Sequence, residues 1–250
     1  MKRVLFYLLI GVLCVLSGGC SDNERLIKQK TKAAGQGNAD AQFWMGDMYY
    51  YGVFVPQDCK EAIKWYKMSA EQGNVDAQFQ LGEMYYYGLH VLEDYQEAAK
   101  WTKSAAERGN ADARFLLGLM YYRGEGVLQD HKEATKCFMK VAEQEGKPTL
   151  LGYQFYEGDG APQDYRMAAK LYKMAAKQGD GNAQARLSMM YYDGKGVSQD
   201  YIEAYAWALH ASLNDYHKAK RSLLRMLTSE QISQGQARAK ELQGEIVQVQ

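Results

Sequence analysis

Apolar and small residues recur at helical spacing along most of this chain. Ala41, Met45 and Tyr49 fall at i, i+4 and i+8, one face of a helix. After a glycine break, Ala62, Trp65 and Ala70 carry a second helical stripe. The pair then repeats. Met45-Gly46-x-x-Tyr49-x-x-Gly52 returns at Leu81-Gly82-x-x-Tyr85-x-x-Gly88 and Leu117-Gly118-x-x-Tyr121-x-x-Gly124, each offset by 36 residues. Leu151-Gly152-x-x-Phe155-x-x-Gly158 follows after 34, and Leu187-Ser188-x-x-Tyr191-x-x-Gly194 after 36. Glycine after the tyrosine ends the first helix, because it tolerates the left-handed backbone needed there. An aspartate starts the second helix in every unit: Asp58, Asp94, Asp130, Asp164 and Asp200. Glu61, Glu97, Glu133 and Glu203 complete capping boxes in form, whereas Met167 leaves the box of Asp164 half made.

The predicted organisation is five helical hairpins, residues 38–73, 74–109, 110–145, 146–179 and 180–213. Small residues such as Gly46 and Ala62 let the paired helices approach closely. The Tyr49 series is assigned to the core, as is Cys137 at the position held elsewhere by Trp65, Trp101, Leu171 and Trp207. Residues 20–37 form a tether and a capping helix from Leu26 to Ala34, the second helix of an incomplete unit. Residues 214–250 supply C-terminal capping helices, the last starting at Thr228 with Gln231 three residues on. A stack of repeats needs such polar caps.

A unit of the form Ala-x3-Leu-Gly-x2-Tyr-x2-Gly-x-Gly-Val-x2-Asp-x3-Ala-x2-Trp-x4-Ala resembles the Sel1-like repeat, a relative of the tetratricopeptide repeat. Gly124-Glu125-Gly126-Val127-x-x-Asp130 and Gly194-Lys195-Gly196-Val197-x-x-Asp200 carry the loop; Phe54 and His90 replace its second glycine in the first two units. The resemblance implies an all-α fold, a right-handed α-solenoid of paired antiparallel helices. It also implies protein binding, with the first helix of each pair lining the inner face.

Ahead of the repeats, Lys2 and Arg3 precede an apolar run from Val4 to Leu16, too short to span a bilayer comfortably. Residues 1–19 read as a cleaved signal. Ser17-Gly18-Gly19-Cys20 resembles a bacterial lipobox, which makes Cys20 the lipidated first residue; Ser17 departs from the large aliphatic residue the pattern prefers. Ser21 after the cysteine points by the same resemblance to a periplasm-facing lipoprotein of the outer membrane. A soluble periplasmic or secreted chain is the alternative.

Charge narrows the function. Thirty basic residues balance 30 acidic ones, so no nucleic-acid footprint is present. No Gly-x-Ser-x-Gly, His-Glu-x-x-His, Cys-x-x-Cys or phosphate-binding loop occurs. His90, His131, His210 and His217 are scattered, and no catalytic, metal or cofactor site is expected. Cys59 and Cys137 lie two units apart, beyond disulfide reach for stacked helices, and are expected as free thiols.

Carried over by motif position, the inner face takes Asp40, Phe43, Asp47, Tyr50 and Tyr51 from the first unit. The second gives Asp76, Phe79, Glu83, Tyr86 and Tyr87; the third gives Asp112, Phe115, Leu119, Tyr122 and Arg123. The fourth offers Thr149, Tyr153, Tyr156 and Glu157, and the fifth Asn182, Ala185, Met189, Tyr192 and Asp193. Tyrosine joins contact area to a polar tip, which suits an interface. The carboxylates favour a basic protein partner. Packing between repeats is the competing role for the Tyr50 series. The expected function is a membrane-anchored scaffold. By family resemblance, two alternatives are an immunity protein against a type VI secretion lipase toxin and a β-lactam-binding or hydrolysing enzyme. No Ser-x-x-Lys motif supports the latter.

Overall fold

The computed structural model describes residues 20–211 and 217–247. The expected signal, residues 1–19, lies outside the described residues. Those described form an all-α repeat fold with thirteen helices. No helix among them is long and apolar enough to cross a membrane. The chain divides into two compact units, Met1–Cys137 and Phe138–Gln250.

The first unit opens with α1 (Cys20–Gly35) and continues through α2 (Ala39–Tyr51), α3 (Cys59–Glu71), α4 (Val75–Tyr87), α5 (Tyr95–Glu107) and α6 (Ala111–Arg123). The boundary falls within α7 (His131–Glu145). The second unit holds α8 (Pro148–Glu157), α9 (Tyr165–Lys177), α10 (Gly181–Asp193), α11 (Tyr201–His210), α12 (His217–Met226) and α13 (Ser229–Val247). The hairpins are antiparallel. Ser69, near the end of α3, donates to the carbonyl of Ala39 at the start of α2 (2.6 Å), while the Asp58 amide before α3 donates to Tyr49 near the end of α2 (3.0 Å).

Helix α1 begins at Cys20, six residues before the expected Leu26, so the polar stretch after Cys20 is helical rather than a tether. Glu24 stands near its N-terminus, where an acidic side chain offsets the helix dipole. At its far end, Ala34 packs with Ala41, Met45 and Met48.

Local chemistry explains the boundaries. The side chains of Asn38, Asn74 and Asn110 cap α2, α4 and α6 by accepting the amides of Ala41, Ala77 and Ala113. Helix α8 has no such cap and starts on Pro148, whose missing N–H costs nothing there. Each expected aspartate accepts two amides at the start of its second helix, as Asp58 does from Lys60 and Glu61 at 3.0 Å. The boxes are not reciprocal, however. The aspartate's own amide is taken by a first-helix carbonyl: Tyr49, Tyr85, Tyr121, Phe155 or Tyr191. Glu61, Glu97 and Glu133 pair instead with Lys64, Lys100 and Lys136, and Glu203 with Arg238. Met167 therefore leaves no partner unsatisfied. Asp58→Ala is expected to cost about 1 kcal/mol in urea unfolding, whereas Glu61→Ala costs only a few tenths, the worth of an exposed pair. Equal losses from both would show that the box matters. The reciprocal exchange does occur before α13, between Thr228 and Gln231 (3.0 and 3.2 Å).

Side-chain amides join successive hairpins. Gln42, Gln78 and Gln184 donate to Ala34, Ala70 and Ala176, the ends of the preceding helices, and Arg114 does the same to Ala106. Trp101, Leu171 and Trp207 are buried at the Trp position, and the residue after it is buried too. Tyr66 and Thr102 in the first unit, with Phe138 and Tyr172 in the second, are all buried. A Cβ on Gly46 would come within 2.4 Å of the Tyr66 ring, so the close approach expected there is real. Cys137 is half-buried rather than core, as are Tyr49, Tyr85, Tyr121 and Tyr191; in that series Phe155 alone is fully buried. Neither Cys59 nor Cys137 forms a disulfide.

Candidate protein-binding interface

The first-helix residues do not form one uniform face. In the first unit, Asp40 and Asp112 are exposed and Asp76 is half-buried. Asp40 accepts a hydrogen bond from Asn74 of the next hairpin (2.8 Å). Phe43, Phe79 and Phe115 are half-buried, the Phe43 ring lying 5.7 Å from that of Tyr66.

Asp47 corrects the sequence reading. It is 2% exposed and accepts the Tyr66 hydroxyl at 2.8 Å, so it belongs to the interior. Burial and the Asp47 charge together push ionisation of Tyr66 far above its ordinary range. Glu83, at the same position of the second hairpin, is half-buried, and Leu119 is buried.

The Tyr50 series serves largely as a clasp between repeats. Tyr50 meets Tyr51 edge-on at 5.0 Å and His90 of the next loop at 5.8 Å. Tyr86 is 5% exposed; its hydroxyl donates to Glu125 of the next loop (2.6 Å) and accepts from Arg123 (2.7 Å). Desolvation, then the Glu125 bond, raises its pKa. Tyr86 is thus withdrawn from the surface, and Arg123 is partly engaged in holding it. In the second unit, Lys195 of the following loop lies 5.7 Å over the Tyr156 ring, and Tyr192 reaches the Met226 sulfur at 3.5 Å. Tyr122 stacks on His131 of its own hairpin at 5.0 Å. The sequence signal is the residue between the paired loop glycines, Glu125 or Lys195, 39 residues after the tyrosine it meets.

What remains accessible in the first unit is Asp40, Asp112, Arg123 and the 56% exposed Tyr87, with Tyr50, Tyr51, Asp76, Glu83 and Tyr122 half-buried. Leu92 and Leu128, both 91% exposed, were missed. They stand in loops where the other units have Pro56, Pro162 and Ser198, and the repeat alignment itself could have marked them.

In the second unit, the predicted residues Thr149, Tyr153, Asn182 and Ala185 line a cavity of about 870 Å³ between α8 and α10. Glu157, Met189 and Asp193 are exposed. Lys147, Tyr172 and Arg186 also line the cavity, and the sequence reading did not place them there. Burial pushes Tyr172 up to about 12. Below its ordinary value near 10, both folded and unfolded states are neutral. Between about 10 and 12 only the unfolded chain ionises, so stability falls as pH rises. The slope of Tm against pH in that window is expected to shrink in Tyr172→Phe; an unchanged slope would contradict the assignment.

Among the described residues, no three His, Cys, Asp or Glu side chains are grouped to hold a metal. His210 bonds the Ala239 carbonyl instead (2.8 Å).

A family model described as the Sel1 repeat matches residues 39–74, 75–110, 111–145, 149–180 and 181–216. Among solved structures, the chain is similar to a Sel1 repeat protein from Oxalobacter formigenes, with 26% identity over 86% of this chain and 98% of that one, at a TM-score of 0.55. It is also similar to c5321, a protective antigen of uropathogenic Escherichia coli strains displaying an SLR fold, at 28% identity and a TM-score of 0.45. That match covers 88% of this chain but only 56% of the antigen. The immunity protein Pa5087 from Pseudomonas aeruginosa is 18% identical, with 84% of this chain and 81% of that one covered and a TM-score of 0.37. No curated protein matches significantly.

Proposed function

The chain belongs to the Sel1 repeat family, and from that premise we propose that it is an envelope-anchored scaffold whose first-helix face grips a basic protein partner. Sel1 repeat proteins are protein-interaction scaffolds and are generally non-catalytic. The observation that carries the reading is the surface left open in the first unit. Asp40, Asp76 and Asp112 recur at one position of α2, α4 and α6, and Tyr87 stands exposed on α4. Recurring carboxylates steer a basic partner and fix its register, while an exposed tyrosine supplies contact area. The anchor is a lipid on Cys20, facing the periplasm.

Pull-down of the full chain from detergent-solubilised bacterial envelopes tests the face. One stoichiometric partner is expected, its recovery falling as salt screens the carboxylates. Asp40→Asn, Asp76→Asn, Asp112→Asn and Tyr87→Ala combined should abolish recovery while leaving the helical circular dichroism intact. Full recovery by that folded variant contradicts the proposal. A lipase toxin as the partner would sharpen the role to immunity. Separately, Cys20→Ala is expected to release the chain from the membrane fraction; retention there contradicts the anchor.

A further inference from the structure

Two repeats bury a tyrosine at the same depth and satisfy it differently. Tyr66 and Tyr172 are 0% and 1% exposed, and each packs over the glycine of its own first helix, Gly46 or Gly152. In the first repeat the hydroxyl donates to Asp47. In the fourth, Tyr153 occupies the position of Asp47 and is 40% exposed. The Tyr172 hydroxyl is left buried with no partner, a costly state for a polar group.

Two cations, Lys147 and Arg186, line the cavity beside it, and the Glu157 carboxylate also acts on Tyr172. Arg186 lies over the Tyr153 ring at 5.8 Å and is near enough to act on the charge of Tyr172. Lys147 stands at the rim, 3.7 Å from Glu145. The one carboxylate in the lining, Asp180, is already used: it accepts the amides of Asn182 and Ala183 and the Thr149 hydroxyl.

We propose that this cavity receives an aspartate or glutamate side chain of a partner protein, whose carboxylate takes the place Asp47 holds in the first repeat. It accepts from the Tyr172 hydroxyl and pairs with Arg186, a charge-assisted contact. The Tyr153 ring turns aside to admit it. The site has the opposite sign to the acidic face of the first unit and stands independently of the partner proposed there.

The test pans random heptapeptides, fused to phage through their C-termini so that their only carboxylates are side chains, against the full chain in detergent. Enriched peptides are expected to share an Asp or Glu. An end-blocked synthetic copy should bind about tenfold better than its Asn or Gln counterpart, the worth of one charged hydrogen bond. Arg186→Ala should weaken it by a similar factor. Tyr172→Phe should weaken it several-fold while keeping or raising Tm, since it deletes an unpartnered hydroxyl; this variant decides the matter if Arg186→Ala fails to fold. Lys103→Ala, exposed on α5, should leave peptide binding unchanged. No enrichment, enrichment without carboxylates, or undiminished binding by folded Arg186→Ala or by Tyr172→Phe overturns the proposal.

Discussion

Gly126→Ala is expected to destabilise the first unit by about 3 kcal/mol or more, among the largest losses for so small a change. Two causes add. Gly126 has φ +71°, and an L-residue in that left-handed region costs roughly 1–2 kcal/mol. A Cβ there would also lie 1.9 Å from the carbonyl oxygen of Tyr95, which opens α5. That oxygen is backbone, so relief requires moving the loop or the helix start. The move would disturb the Tyr86–Tyr95 contact at 5.5 Å and the Glu125 clasp. The equivalent position of the first repeat behaves differently. Phe54 holds φ +66°, so Phe54→Gly relieves strain of roughly 1–2 kcal/mol but loses the covered part of a ring that is 40% exposed. With the entropy glycine adds to the unfolded chain, a change within about 1 kcal/mol of zero is expected. Urea unfolding of both variants checks the pair. A mild loss in Gly126→Ala would show that the loop is not pressed against α5.

Tyr66→Phe is the second large effect, at about 1–3 kcal/mol. It deletes a hydroxyl that supports the buried carboxylate of Asp47, and the desolvation cost of that carboxylate remains. Tyr172→Phe makes the same chemical change at the equivalent site and is expected to leave stability unchanged or slightly raised. The difference between the two variants isolates the hydrogen bond, because ring burial is the same in both. Equal losses would mean that Tyr172 has a partner after all.

The helices and their ends could be read from the sequence because each boundary rests on local chemistry: asparagine or aspartate before a helix, glycine after it. Other features depended on distant residues. Asp47 looked like a surface acid because a buried one needs a partner, and its partner lies nineteen residues on in the next helix. Tyr49 and Tyr50 are chemically identical neighbours, so composition could not divide core from surface. The loops decide it: Glu125 draws Tyr86 inward, leaving Tyr85 the less buried of that pair. The polarity of the segment after Cys20 suggests a tether, yet Glu24 also favours a helix start. Lys147 and Arg186 are brought together only by the packing of the fourth and fifth hairpins, which local spacing along the chain does not reveal.

Site-specific photocrosslinking in cells tests most directly the claim that the first-helix face holds a protein. A photoreactive residue at Tyr87 or Asp112, exposed on α4 and α6, is expected to give one adduct of defined mass. The same residue at Met68 or Lys103, exposed on α3 and α5, is expected to give none. No adduct from Tyr87 and Asp112, or the same adduct from Met68 and Lys103, contradicts the account.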